Sequence, residues 1–100
     1  MKVTFSLVAK GDLLDIAVYI AEDNPDRALT FVDELEAKCA KLGIGIARPE
    51  LGEGIQAIPH GHYVICYREE QQIVRIERVL HGARDIRASD FESTEPPLGE

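Results

Sequence analysis

The sequence predicts a small α+β domain in the order β-α-α-β-β-β, and three observations carry the prediction. Three short runs rich in β-branched and aromatic residues, Ile55 to Ile58, Tyr63 to Tyr67 and Ile73 to Leu80, are separated only by Pro59-His60-Gly61 and the polar Glu69 to Gln72. Gaps that short leave room only for hairpins, so the runs form an antiparallel meander ending in Leu80-His81-Gly82-Ala83-Arg84-Asp85. Ahead of them lie two stretches of helical period joined at Asn24-Pro25, and a short alternating run opens the chain.

Taken in order, Lys2 to Leu7 alternates Val3, Phe5 and Leu7 against Lys2, Thr4 and Ser6 and reads as a strand. It has no neighbour close in sequence, so it must pair with the meander across a long connection. From Val8 to Asp23 the period becomes helical: Leu13, Ile16, Ala17 and Ile20 form the stripe, and Leu14 and Tyr19 widen it. Asn24 is a favoured N-cap, and Pro25 at the first helical position loses nothing by lacking an N–H. The second helix puts Ala28, Phe31, Val32, Leu35, Cys39 and Leu42 on one face, and Gly43 and Gly45 end it. The two helices form an antiparallel hairpin whose apolar stripes face the sheet. Residues 43–54 are a glycine-dense loop. Along Tyr63 to Arg68 both strand faces are largely apolar, so both are covered, one by helices and one by something else. The ordered domain is expected over residues 1–88. Residues 89–100 read as an acidic, proline-containing flexible tail.

Composition narrows the function. One hundred residues make one domain able to bury a modest core, and no apolar run approaches the roughly 20 residues of a membrane helix. The opening residues lack the apolar core of a signal peptide. Cys39 and Cys66 are too few for a disulfide framework and fall on apolar-periodic positions, as reduced core residues of a cytoplasmic protein would. The net charge of −7 repels phosphates at long range and disfavours a non-specific nucleic-acid binder. That charge is uneven: residues 9–42 hold four basic and eight acidic side chains, whereas 43–85 hold five arginines against six acids.

Local signals for an enzyme are weak. His60 and His62 lie two apart, but no third ligand has accompanying spacing and Gly61 marks a turn, so solvated turn histidines are the simpler reading and no metal is expected. Neither cysteine has the setting of an activated nucleophile, and no phosphate-cradling glycine loop sits between a strand and a helix. No cofactor is expected. The last strand is richer. Arg75, Arg78, His81, Arg84 and Arg87 recur every three residues, and alternation puts Arg78 on the face of Val74, Ile76 and Leu80. An arginine there is either a salt-bridged edge group or one reserved for a carboxylate or phosphate of a partner.

Five motifs in this order resemble the RelE/ParE superfamily of bacterial toxins. They are Asp12-Leu13-Leu14-Asp15-Ile16 with Tyr19-Ile20; Asn24-Pro25; Arg48-Pro49-Glu50-Leu51-Gly52; Gly61-His62-Tyr63-Val64-Ile65-Cys66-Tyr67-Arg68; and Arg78-Val79-Leu80-His81-Gly82-Ala83-Arg84-Asp85. The likeness covers about residues 2–88, and its last two motifs are most similar to the ParE branch. It implies two antiparallel helices on an antiparallel sheet, and the toxin half of a type II toxin–antitoxin pair. It also implies a cognate antitoxin whose disordered segment wraps over the toxin in a hetero-oligomer, which would explain a covered second sheet face.

The resemblance further implies a mode of action. ParE-like toxins inhibit DNA gyrase by binding it, without catalysis. RelE-like toxins cut messenger RNA on the ribosome with basic side chains and a C-terminal tyrosine. Here the strand position of the catalytic arginine falls at Tyr63 and the tyrosine position falls near Asp90; only Arg84 matches, with His81 as a substitute acid or base. One arginine without a second positive charge or a proton-transfer group is a poor phosphodiester-cleaving site. The expected activity is therefore non-enzymatic gyrase inhibition, with Arg78, His81, Arg84 and Asp85 as target- or fold-critical residues. Their structural alternative is an ion-pair cluster in which Asp85 holds Arg84 or Arg78. Tyr19, Phe31 and Tyr67 are the expected antitoxin anchors, as large aromatics dominate such interfaces. The alternatives are a ribosome-dependent endoribonuclease using Arg84 and His81, and an antitoxin-binding relic without toxicity.

Overall fold

A computed structural model describes residues 2–41 and 45–91 of the chain. Strand β1 (Lys2–Phe5) leads into helices α1 (Leu7–Asp23) and α2 (Pro25–Ala40); strands β2 (Ile46–Ala47), β3 (Gln56–His60), β4 (Tyr63–Glu70) and β5 (Ile73–His81) follow. The five strands form one sheet in the spatial order β1-β5-β4-β3-β2. The antiparallel meander stands as expected. The opening strand does find it across the helices, and it does so in parallel, Val3 opposite Val74 and Phe5 opposite Ile76. After the helix hairpin β2, β3, β4 and β5 alternate in direction, which leaves β5 running the same way as β1. The two-residue β2 inside the glycine-dense loop is an addition that its length and Gly-rich flanks conceal.

Local chemistry sets the boundaries. The strand ends at Phe5 rather than Leu7, because Ser6 Oγ accepts the Ala9 N–H at 2.9 Å and turns the chain into the helix. The same hydroxyl donates to the Glu77 carbonyl of β5 at 2.8 Å, tying the helix start to the sheet. Asn24 closes one helix and opens the next: its N–H donates to the Ile20 carbonyl, and its Oδ1 accepts the Arg27 N–H. α2 ends at Ala40 with Lys41 as its C-cap, short of the expected end at Gly43 and Gly45; Leu42 and Gly43 themselves lie outside the described residues.

The sheet is covered on both faces. The helix side holds Ile16, Phe31, Leu35, Cys39, Ile65, Tyr67, Val74, Ile76 and Val79. The opposite side holds Cys66 and Leu80 under Leu51, Ile55 and Phe91. That second cover belongs to the chain itself, to the 3-10 turns Pro49–Leu51 and Ala88–Phe91, so no partner is required to explain it. Asp90 and Phe91, on the tail side of the expected boundary, are therefore built into the domain; the expected flexible segment from residue 92 lies outside the described residues. Both cysteines are buried and free, and burial pushes each thiol up to about 11.

Candidate functional site

The end of β5 departs from strict alternation. Cys66 faces Arg78 and Tyr67 faces Ile76, which leaves Glu77 as a bulged residue and reverses the side-chain parity beyond it. Val79 joins Val74 and Ile76 on the helix side, while Leu80 goes to the other face. Arg78 therefore shares its face with Leu80 and Cys66, not with Val74 and Ile76. β1 stops at Ile76, so the bulge also marks where β5 becomes an open edge. Asp12 of α1 meets that edge. Its Oδ2 accepts the Val79 N–H at 3.0 Å, and its two oxygens take Arg78 Nε at 2.8 Å and Nη2 at 2.9 Å.

Arg78 then links the helix side of the sheet end to the other side, its Nη1 donating at 3.0 Å to the Asp90 carbonyl. The Asp12 carboxylate holds its guanidinium above the usual arginine range. Asp90 is the second hub: one carboxylate oxygen accepts Arg84 Nη2 at 2.6 Å, and the other accepts the Arg87 N–H at 2.8 Å. The cluster that closes the sheet end is thus real, but its acids are Asp12 and Asp90. Asp85 pairs instead with Arg87, and both side chains are largely exposed. The bases of the cluster stand out in the sequence, whereas their acids lie 66 and 12 residues from Arg78 and carry no local signal. The sequence does not announce a second network around the bulge either. There the buried Glu77 meets Arg75 Nε at 3.1 Å and has Arg68 Nε at 3.9 Å.

Beside this cluster lies a cleft of about 230 Å³ between α1 and the ends of β4 and β5. Ile16, Val79 and Leu80 form its apolar part, Tyr19, Tyr63 and His81 its aromatic part, and Asp12, Asp15 and Arg84 its charged part. His81 and Arg84 are brought together here with Tyr19, while Asp85 does not line the cleft. His81 Nδ1 accepts the Ala83 N–H at 3.1 Å, so in neutral histidine the proton sits on Nε2. Its ring meets Tyr63 edge-on at 5.4 Å and stacks on His62 at 6.3 Å. Burial, reinforced by the nearby Tyr19 phenol, pushes the Tyr63 hydroxyl up.

The three expected anchors separate. Tyr19 is 70% exposed, whereas Phe31 (6%) and Tyr67 (2%) are core residues. Phe31 packs on His60 and Tyr63 at 5.6 and 5.3 Å, so His60 is a strand residue against an aromatic ring rather than a solvated turn histidine. Tyr67 Oη accepts the Gly45 N–H at 2.9 Å and donates to Gln56 Oε1 at 3.3 Å. An exposed apolar surface lies on α1 and includes Leu14, which was expected on the core-facing stripe. Leu7, Leu14 and Val18 are 71%, 65% and 53% exposed and follow i, i+7, i+11 with Gly11 between them. A Cβ on Gly11 would meet nothing within 4 Å, so this stripe faces open space. Among the described residues no three His, Cys, Asp or Glu side chains converge on a metal position.

The sequence model of the family described as the ParE toxin of type II toxin–antitoxin system, parDE, matches residues 3–86. A solved structure described as the chromosomal ParDE TA system from P. aeruginosa is similar in fold, with a TM-score of 0.61 at 21% identity. The match covers 81% of this chain and 95% of that one. No curated protein matches the chain.

Proposed function

The chain belongs to the ParE toxin family of type II toxin–antitoxin systems, and from that premise we propose that it arrests growth by binding and inhibiting DNA gyrase in the cytoplasm, without catalysis, until a cognate antitoxin neutralises it. The observation that supports binding over RNA cleavage is the charge state of the sheet end. Arg78 is taken by Asp12 and Asp90, Arg84 by Asp90 and Arg87 by Asp85. Stabilising a phosphorane needs positive charge left over for the phosphate, and here each guanidinium is already matched by a carboxylate. An acidic exterior at −7 opposes docking on ribosomal RNA as well. Exposed Arg84 and His81 remain the side chains proposed to touch the target.

For the antitoxin the α1 stripe is the proposed seat. Leu7, Leu14 and Val18 present apolar area, Gly11 lets a second backbone approach closely, and Tyr19 flanks them as the exposed aromatic. The similar structure being a TA system supports a partner of that kind.

One observation favours an alternative. Tyr63, His81 and Arg84 line the same cleft, and an imidazole, a phenol and a guanidinium could serve acid–base chemistry on RNA. Two assays on purified protein separate the readings, gyrase supercoiling and cleavage of the message on a programmed ribosome. Lost supercoiling with intact message is the expected result. Cut message with normal supercoiling would overturn it in favour of the nuclease.

A further inference from the structure

We propose that the cleft between α1 and the β4–β5 end receives one arginine side chain of a partner polypeptide, its guanidinium stacked against Tyr19 and Tyr63 and paired with Asp15. The proposal deepens the antitoxin reading and rests on it only for the source of the arginine.

Charge accounting inside the cleft sets the sign of the guest. The Asp12 carboxylate is consumed by Arg78 and the Val79 N–H, and Arg84 is held by Asp90 at 2.6 Å. Asp15 is exposed and has no ion-pair or side-chain hydrogen-bond partner among the described residues, so it is the one lining group whose charge is unmatched. A cation completes the site, whereas an anion would meet two carboxylates and an arginine already neutralised. The walls select the kind of cation. Two phenol rings in the lining favour a flat guanidinium, whose fork can also grip a carboxylate, over a strongly hydrated ammonium. Ile16 and Val79 offer an apolar lining for the three methylenes of an arginine stem. At about 230 Å³ the cleft falls below the roughly 300–1,000 Å³ of cofactor and drug pockets, which suits a single side chain. It is also continuous with the α1 stripe: Asp15 and Tyr19 directly follow Leu14 and Val18. A helix lying along that stripe would bring its own side chains to the mouth of the cleft.

The test uses the full chain and N-acetyl-arginine N-methylamide as probe, followed by amide chemical shifts. The neutral citrulline counterpart controls for shape. Saturable shifts confined to the Asp15–Tyr19 turn, Tyr63 and His81 are expected with arginine and none with citrulline. Asp15→Asn should weaken binding about fivefold or more, and Tyr19→Ala should do the same, with each variant's spectrum otherwise unchanged. Equal shifts with citrulline would overturn the proposal. So would shifts scattered along the acidic faces of both helices, or undiminished binding by Asp15→Asn. Failure of the two readings is separable. A cleft that takes the probe in a protein no antitoxin neutralises would sink the antitoxin reading alone. A neutralised toxin whose cleft ignores the probe would sink this inference alone.

Discussion

Replacing Asp12 by alanine should destabilise the fold by about 3 kcal/mol, because its carboxylate accepts three hydrogen bonds. The carboxylate accepts Arg78 Nε, Arg78 Nη2 and the Val79 N–H, in a setting where the Arg78 and Asp12 side chains are 16% and 11% exposed. Removing one partner of a buried pair costs roughly 3–5 kcal/mol, because the other charge is left stranded. The low end applies here, since Arg78 keeps the Asp90 carbonyl and some contact with water. A domain of this size holds only about 5–15 kcal/mol in all. With a urea slope of about 1–2 kcal/mol/M, the midpoint should fall by roughly 2 M at unchanged slope. Arg78→Met in the Asp12→Ala background should recover part of the loss, since no charge is then stranded. A midpoint shift below about 0.5 M, or strict additivity of the two substitutions, would refute the account. The result bears on function directly. If Arg78 is a structural strut, growth arrest lost in Arg78→Ala must be accompanied by lost stability, and only an equally stable inactive variant would make it a target contact.

Other expectations test separate features. Gly45→Ala would bring a Cβ to 2.5 Å from Tyr67 Oη and 3.1 Å from the Ala57 carbonyl, and should cost about 1–3 kcal/mol in thermal or urea unfolding. The β4–β5 turn holds Gln71 at φ 50° and Gln72 at φ 65°, so Gln71→Asn with Gln72→Gly should stabilise by about 1 kcal/mol, read as a higher Tm. Cys39 and Cys66 should resist thiol reagents at pH 8 in the native protein and react in denaturant. Unfolded thiols ionise near the ordinary 9.0 and the buried ones only near about 11, so stability should fall as pH rises through that window, checked by urea midpoints. Leu14→Asp on the exposed α1 stripe should abolish antitoxin binding in a titration while leaving Tm within about 2 °C.

How much of this was legible in the sequence depends on how local each signal is. Asn24-Pro25 marked the helix junction because its capping chemistry acts within three residues. The meander was legible because two-residue turns tie register to sequence. Leu14 and Tyr19 were placed in the stripe because α1 is apolar nearly all round, and period alone cannot choose between two apolar faces. Arg78 was put on the wrong face because one bulged residue, Glu77, inverts every later position, and nothing in Ile76-Glu77-Arg78 announces it. The acids of the cluster could not be found, because Asp12 reaches Arg78 only after the parallel strand has brought α1 to the β5 edge. Tyr67 looked like an interface aromatic and is a core residue, whereas Tyr19 of the same chemistry is on the surface. Residue type does not decide that difference; the neighbours do.

The place of β5 in the sheet has a consequence for synthesis. The strand lies between the first strand of the chain and β4, and the Ser6 hydroxyl that starts α1 bonds a carbonyl 71 residues downstream. Both helices are therefore synthesised before the strand that will hold them. Until translation has passed β5, α1 has neither an Asp12–Arg78 tie nor a sheet beneath it. The nascent chain cannot carry a finished toxin surface, because the final strands build it. What it does expose early is the α1 stripe, so a partner that recognises the stripe alone could engage the chain before it is able to do harm.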